Sequence, residues 1–350
     1  MNRTVILERL MHECRELLIF NPSDRPWQMP VSAAIASGVP IAFGAWLERL
    51  DLGVVGALGA LTFLYLPRFD LRRRMLSVAG CAAMLTFCYT LGLVCHLVPN
   101  FTLPVITLVA IVTTALCRHF QLIPPGSLFF MMATAIGAYA PHDLAQTPLK
   151  VAVFAGSAVF ACLIAWLYSL YVLQVKRIIP ATPFLKTEQR ITWFIPLLTG
   201  LFVALSLQIA ELFGLGRAYW VPVSCLAVMQ GINLRKVWNR QIQRSAGTLI
   251  GIGATWMMAP FASNPWAIVF AIAALNFCIE TAVVRHYGFA VIFITPLTIL
   301  LADAPNLHDS HITTLMFDRL LDTLIGAVIG FAGAMVMHND TVKRRLHFLN

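Results

Sequence analysis

Two acidic side chains stand inside apolar segments of this 350-residue chain, where a carboxylate can carry a proton. Glu280 lies near the end of one apolar segment, and Asp322 lies three positions after Arg319 in another. A charged group is costly in hydrocarbon unless it faces a cavity or a partner, so such residues are typical of ion and substrate pathways. Asp322 and Glu280 are therefore candidate proton carriers. Arg319 is a candidate site for an anion, because its guanidinium can pair with a carboxylate.

The same residues also have a purely structural interpretation. Glu280 is followed by Arg285, with which it would form an ion pair at the membrane interface. Arg319 is preceded by Asp318, and these two would form an ion pair at the opposite surface, where such pairs contribute little to stability. Asp322 lies one turn deeper than Asp318, which favours a position in a cavity. Both interpretations stay open for Glu280 and Arg319.

No pattern typical of a soluble enzyme or of a metal centre occurs in the sequence. The chain contains no P-loop, GxGxxG, HExxH or GxSxG motif, and its nine histidines are scattered. Its eight cysteines fall mostly within apolar segments, where cysteine is a typical packing residue. We therefore predict no enzymatic activity, no cofactor and no metal site.

The elements that carry these residues are strongly apolar. Hydrophobic residues make up 59% of the chain, charged residues make up 12%, and the mean hydropathy is +0.78. These values exclude an ordinary soluble domain and predict an all-α polytopic membrane protein. At about 20 apolar residues per crossing, we expect about twelve transmembrane helices. Their predicted positions are 28–47, 52–67, 75–97, 101–117, 122–140, 150–173, 191–212, 217–232, 244–260, 265–284, 287–302 and 317–337.

These helices predict five segments along the chain. We expect a cytoplasmic amphipathic helix in residues 1–26 and a first six-helix half at 27–174. A cytoplasmic linker at 175–190, a second six-helix half at 191–338 and a cytoplasmic tail at 339–350 would follow. The sequences TALCRHF at 114–120 and TAVVRHY at 281–287 lie 167 positions apart. This similarity predicts two parallel repeats, related by an axis along the membrane normal.

The distribution of basic residues predicts the orientation in the membrane. With a cytoplasmic N-terminus, the outer ends of the spans carry only four of the 25 Lys and Arg residues, namely Arg49, Lys150, Arg217 and Arg319. This bias follows the positive-inside rule and places both termini in the cytoplasm. The formal net charge of +9 therefore reports topology and does not indicate a nucleic-acid partner.

Residues 216–251 contain several features in a distinctive order. A Tyr-Trp-Val-Pro motif is followed by an apolar run that ends at Gln230, then by Arg240 and Arg244, and then by Gly-Thr-Leu-Ile-Gly. This order resembles the fusaric acid resistance (FUSC) family, whose members include exporters of aromatic carboxylic acids in bacterial inner membranes. The predicted substrate pathway includes Trp220, Gln230, Arg244 and Arg319. Alternatively, Trp220 anchors the chain at the membrane surface, and Arg244 only fixes the topology.

Two pairs of glycines are spaced four residues apart, as in helices that pack closely in membranes. They are Gly247 with Gly251, and Gly326 with Gly330. We predict that these four residues lie at helix–helix contacts.

Together with the resemblance, these features predict an inner-membrane secondary transporter that exports small organic anions, in particular aromatic carboxylates, and is driven by the proton gradient. A passive anion channel resembling the malate channels and a non-transporting membrane subunit are the alternatives. The expected partners are the anion, protons and the lipid bilayer. Association with a second copy of the chain or with a periplasmic adaptor stays open.

Overall fold

The computed structural model describes residues 19–23, 25–122, 124–140, 143–175, 193–231, 233–261, 264–303 and 312–339. Nearly all of the predicted N-terminal amphipathic helix, cytoplasmic linker and C-terminal tail lies outside these residues. Within the described residues, the regular structure is entirely helical and includes twelve α-helices of at least ten residues. The all-α prediction is therefore confirmed for this part of the chain.

The helices follow one another with short connections. The first six are α1 Gln28–Trp46, α2 Leu50–Ala60, α3 Leu71–Val94, α4 Thr102–His119, α5 Leu128–Tyr139 and α6 Thr147–Leu170. The second six are α7 Phe194–Leu212, α8 Trp220–Met229, α9 Leu234–Met258, α10 Pro265–Ala282, α11 Tyr287–Asp303 and α12 Ile312–His338. Each of the twelve predicted spans overlaps one of these helices.

The helices differ in whether they can cross a membrane alone. Seven helices of the described part are long and apolar enough, namely α1, α3, α4, α6, α7, α10 and α12. The shorter apolar helical segments are Leu50–Tyr65, Leu128–Tyr139, Trp220–Met229 and Tyr287–Leu301. A helix rises about 1.5 Å per residue, so segments this short do not reach across a hydrocarbon core of about 30 Å. The expectation of twelve full crossings is thus met in part.

The shortest helix, α8, is enclosed by the rest of the bundle, and all ten of its residues are buried. Its C-terminal end is held by Gln230, whose Nε2 donates a hydrogen bond to the carbonyl of Pro125 at 3.0 Å. Helix ends inside a membrane need such protein partners, because hydrocarbon offers none. Enclosure by other helices therefore allows α8 to stop at bilayer depth.

The second half contains two closely packed helix pairs. Helix α8 packs against α12, and α9 packs against α11. A Cβ atom added to Gly326 of α12 would lie 2.6 Å from the Cβ of Ser224 on α8. A Cβ atom added to Gly251 of α9 would lie 2.7 Å from the Cβ of Thr295 on α11. Only glycine allows the backbones to approach this closely, so these two contacts fix the four helices that carry the polar site.

Candidate functional site

Arg319 is buried in the second half, with 4% of its surface exposed. Its guanidinium carbon lies 3.8 Å from the centre of the Trp220 ring, and its Nη2 donates a hydrogen bond to Oγ1 of Thr298 at 3.1 Å. The aromatic face and the hydroxyl orient the guanidinium. We call Trp220, Thr298, Arg319 and Asp322 the Arg319 cluster. Because Arg319 is buried, its interpretation as half of an outer-surface ion pair is wrong.

Asp322 lies one turn after Arg319 and is fully buried. Within the described residues, neither of its carboxylate oxygens has a hydrogen-bond partner. Its charged neighbours are Arg319 and Arg217, which favour its negative charge, and Asp318, which opposes it. A cavity of about 10 Å³, bordered by Arg217, Trp220 and both cluster residues of α12, adjoins the carboxylate. This volume is enough for about one water molecule.

A second buried arginine, Arg244, joins three helices. It is 5% exposed, and it donates from Nη1 to the Tyr287 hydroxyl and from Nη2 to Oγ of Ser224, each at 3.1 Å. Arg240 stacks on Tyr287, with its guanidinium carbon 4.6 Å from the centre of the ring. We call Ser224, Arg240, Arg244 and Tyr287 the Arg244 cluster. It links α8, α9 and the start of α11.

The two clusters meet on neighbouring turns of α8. Trp220 of the Arg319 cluster and Ser224 of the Arg244 cluster are one turn apart on α8. Gly326, against which Ser224 packs, is one turn after Asp322 on α12. The contact between α8 and α12 thus brings both buried arginines close to one helical seam.

A cavity of about 600 Å³ adjoins the Arg244 cluster, at the end of the bundle that the charge bias predicts to be cytoplasmic. We call it the vestibule. Its lining includes Lys236, Asn239, Arg240, Gln243, Arg285 and His286, and no acidic side chain is among the described residues that line it. Tyr287 of the Arg244 cluster also lines it. Such a lining attracts an anion and offers it several hydrogen-bond donors.

Gln230 lies between the vestibule and a neighbouring cavity of about 370 Å³, and it lines both. The second cavity reaches Arg118 and Ser127 of the first half and Met337 near the end of α12. Gln230 is therefore near the predicted entrance, more than two turns of α8 away from Trp220.

Glu280 lies apart from both clusters and is 7% exposed. Its Oε2 accepts a hydrogen bond from Nη1 of Arg25 at 3.0 Å, so the expected pairing with Arg285 is wrong. The reason is that residues before α1 fold over the turn between α10 and α11. There the Asn21 amide donates to the Arg285 carbonyl at 2.9 Å, and the Phe20 ring stacks on His286 at 4.7 Å. This segment also forms part of the vestibule wall, through Asn21.

The structure thus brings together Trp220, Arg319 and Asp322, and Arg244 binds Ser224 one turn of α8 after Trp220. Glu280 and Gln230 lie elsewhere. Trp220 is 4% exposed, so its alternative interpretation as a membrane-surface anchor is wrong. Sequence reasoning missed Ser224, Thr298 and Arg25. Tyr287 was recognised only as the last residue of a repeated motif.

The fold and the buried polar clusters define this chain as an α-helical membrane protein. Residues 203–333 match the family model "Fusaric acid resistance protein-like", which confirms the predicted resemblance over this segment. The segment contains α8 to α11, most of α12 and both arginine clusters. This part of the second half is therefore similar to fusaric acid resistance-like proteins.

One relative among curated proteins is the "Uncharacterized membrane protein YvaC" of Bacillus subtilis (strain 168). It is 36% identical over 134 residues, which are 38% of this chain and 21% of that protein. The match thus spans about a fifth of the length of that relative. No solved structure matches the chain.

Proposed function

We propose that this protein transports small organic anions out of the cell in exchange for protons. The observation that carries the proposal is the vestibule. It is a basic cavity of about 600 Å³ whose wall includes Arg240 and Tyr287 of the Arg244 cluster. The Arg319 cluster begins one turn of α8 further on, because Trp220 lies four residues before Ser224. A cytoplasmic anion would enter the vestibule, exchange the contacts of Arg240 and Arg244, and reach Arg319.

The nature of the vestibule supports an aromatic carboxylate as substrate. Lys236, Arg240 and His286 provide positive charge or hydrogen bonds for a carboxylate, and the Tyr287 ring provides an aromatic wall. Fusaric acid, to which the matched family owes its name, is itself an aromatic carboxylic acid. The substrate class is therefore consistent with both the lining and the family.

Proton coupling rests on competition for the Arg319 guanidinium. When Asp322 is ionised, it and the substrate carboxylate compete for the same positive charge. For exchange, the carrier crosses the membrane either with the anion on Arg319 and Asp322 ionised, or with Asp322 protonated and no anion bound. A proton taken up by Asp322 outside therefore leaves to the cytoplasm before the anion is carried out. Glu280 is the second proposed proton carrier, and its position near the vestibule would place it at the cytoplasmic end of the proton path.

We also propose that the two halves are parallel repeats. Helices α2 and α6 pack together as α8 and α12 do, and α3 and α5 pack together as α9 and α11 do. Between the halves, α4 packs against α7 and α10 packs against α1. In each comparison the corresponding helices are six helices apart in chain order, as expected for a two-fold relation. Location in the bacterial inner membrane, with both termini in the cytoplasm, completes the proposal.

The test is flux of radiolabelled 4-hydroxybenzoate, cinnamate, succinate and malate in proteoliposomes, with and without an imposed pH gradient. A proton-coupled exporter accumulates an aromatic acid in an acidic lumen, against the direction in which a permeant weak acid distributes by itself. Collapse of the gradient with a protonophore should abolish this accumulation.

Two other outcomes would replace the proposal. Equilibration of the anions without accumulation would indicate the passive channel. Flux equal to that of protein-free liposomes for every acid would indicate a non-transporting subunit.

A further inference from the structure

A crevice of about 290 Å³ lies between α3, α4 and α5 in the first half, away from both arginine clusters. Its lining is mainly apolar and includes Leu76, Met84, Leu116, Phe120 and Phe130. Leu76 and Phe120 are 65% and 61% exposed, so the crevice opens on the outer surface of the bundle. In a membrane protein this surface faces lipid tails.

The crevice is open down to the backbone of α3. A Cβ atom added to Gly80 would meet no atom of the described chain within 4 Å. At Gly247 of α9, in contrast, an added Cβ would lie 2.7 Å from the carbonyl oxygen of Gly288. Gly247 thus serves a helix contact, whereas Gly80 leaves room beside its helix for another molecule.

Two cations stand at the end of the crevice. Arg72 and Arg73 lie one turn before Leu76 and Ser77, on the same face of α3, and both are exposed. Arg73 approaches Asp70 at 3.7 Å, in an ion pair whose side chains are both more than half exposed to solvent. The charge bias puts this end of α3 at the cytoplasmic leaflet, which holds anionic headgroups.

We infer that the crevice binds an anionic phospholipid, with one acyl chain between α3 and α4 and the headgroup phosphate at Arg72 and Arg73. An apolar slot directly beneath two guanidinium groups matches the two chemical parts of this ligand. A free fatty acid shares the same chemistry, whereas a phospholipid with a zwitterionic headgroup gains less from the two arginines. The inference does not depend on the proposed transport activity.

Native mass spectrometry of the full chain in detergent tests this site. Phosphatidylglycerol, phosphatidylcholine or oleate is added in equal amounts, and the lipid that survives collisional activation is counted. We expect one phosphatidylglycerol to be retained under conditions that remove phosphatidylcholine. Gly80→Phe, which fills the crevice, should lower the retained fraction at least fivefold. Gly156→Phe is the matched control, since a Cβ there also meets nothing within 4 Å.

A second variant keeps the test independent of how Gly80→Phe folds. Arg72→Gln with Arg73→Gln changes two exposed side chains and should abolish the preference for phosphatidylglycerol over phosphatidylcholine. Equal retention by wild type and Gly80→Phe would overturn the inference, as would a wild type that does not distinguish the two headgroups. Retention of oleate in preference to phosphatidylglycerol would also overturn it, in favour of a fatty acid site.

Discussion

Arg319 and Asp322 illustrate why buried charges in a membrane bundle indicate function. Taking both groups out of water has a large free-energy penalty, and a buried ion pair contributes little to stability in return. Trp220 and Thr298 hold the guanidinium in place, and the described residues leave the Asp322 oxygens without hydrogen bonds. Such an arrangement suits a site whose partners change during the proposed transport.

Arg244 is expected to contribute to binding of the anion on its way from the vestibule. Arg244→Gln removes the charge and the hydrogen bonds to Ser224 and Tyr287. A charged hydrogen bond contributes about 1.5–3 kcal/mol, so the half-saturation concentration for 4-hydroxybenzoate efflux should rise about tenfold or more. Arg68→Gln, at an exposed position of the first half, should leave it unchanged. Equal half-saturation in both variants would place Arg244 outside the pathway.

Glu280 can be tested with its ion-pair partner. Glu280→Gln and Arg25→Gln each leave one charge without its partner, and each should lower the melting temperature in detergent by about 4 °C. The double variant removes both charges and should regain most of this loss. If Glu280 carries protons, the double variant stays deficient in pH-driven accumulation. Recovery of accumulation together with stability would reduce Glu280 to a structural ion pair.

The sequence predicted the chemistry of single residues better than their partners. The spacing of Arg319 and Asp322 indicated a polar site, because both charges stand in an apolar segment. Ser224 and Thr298 could not be singled out, since apolar helices contain many hydroxyl groups that bond only to their own helix. Arg25 was missed because it lies 255 positions from Glu280, and only the tertiary fold brings the two together.

At the level of the elements, the short helices matter most. Hydropathy located α8 to within a few residues but did not show that a ten-residue helix ends inside the bundle. Its length follows from local sequence, whereas its enclosure depends on which helices pack around it. The predicted span 244–260 begins ten residues later than α9, which starts at Leu234. Hydropathy missed the first turns of α9 because they are polar and line the vestibule.

The glycine contacts should be indispensable for folding. A larger side chain at Gly251 or Gly326 would collide with Thr295 or Ser224 and separate the helices that hold both arginines. We expect Gly251→Leu and Gly326→Leu to reduce the folded protein in membranes severalfold, measured by fluorescence-detected size-exclusion chromatography. Gly253→Leu is the matched control on α9, because a Cβ there meets nothing within 4 Å. Wild-type yield for all three variants would show that these contacts tolerate side chains.

For the molecule as a whole, composition was sufficient to predict a helical membrane protein. It did not show which half carries the buried polar clusters. Within the described residues, the buried Arg319–Asp322 and Arg244 clusters lie in the second half. The first half has the apolar crevice instead, and in the proposed repeat Ser77 and Phe120 are the counterparts of Arg244 and Tyr287. This difference between the halves depends on how the helices pack, which a single sequence does not show.

The proposed orientation predicts opposite accessibility for the two ends of α3. Arg68→Cys and Asn100→Cys are exposed substitutions before and after this helix. In intact cells, a membrane-impermeant maleimide should label the cysteine at position 100 and not the one at 68, and in inside-out vesicles the pattern should reverse. The unsubstituted chain provides the background from its native cysteines. Labelling of position 68 in intact cells would invert the orientation, and with it the direction assigned to the vestibule.

The central claim, that Asp322 couples anion export to protons, is tested most directly by the lumenal pH of inside-out vesicles. A pH-sensitive dye is trapped in an acidic lumen, and 4-hydroxybenzoate is added outside. In the wild type, entry of the anion should raise the lumenal pH, because a proton leaves in exchange. Asp322→Asn should show no pH change while labelled substrate still exchanges across the membrane, and Asp318→Asn should behave as wild type. A wild-type pH response in Asp322→Asn would contradict the claim.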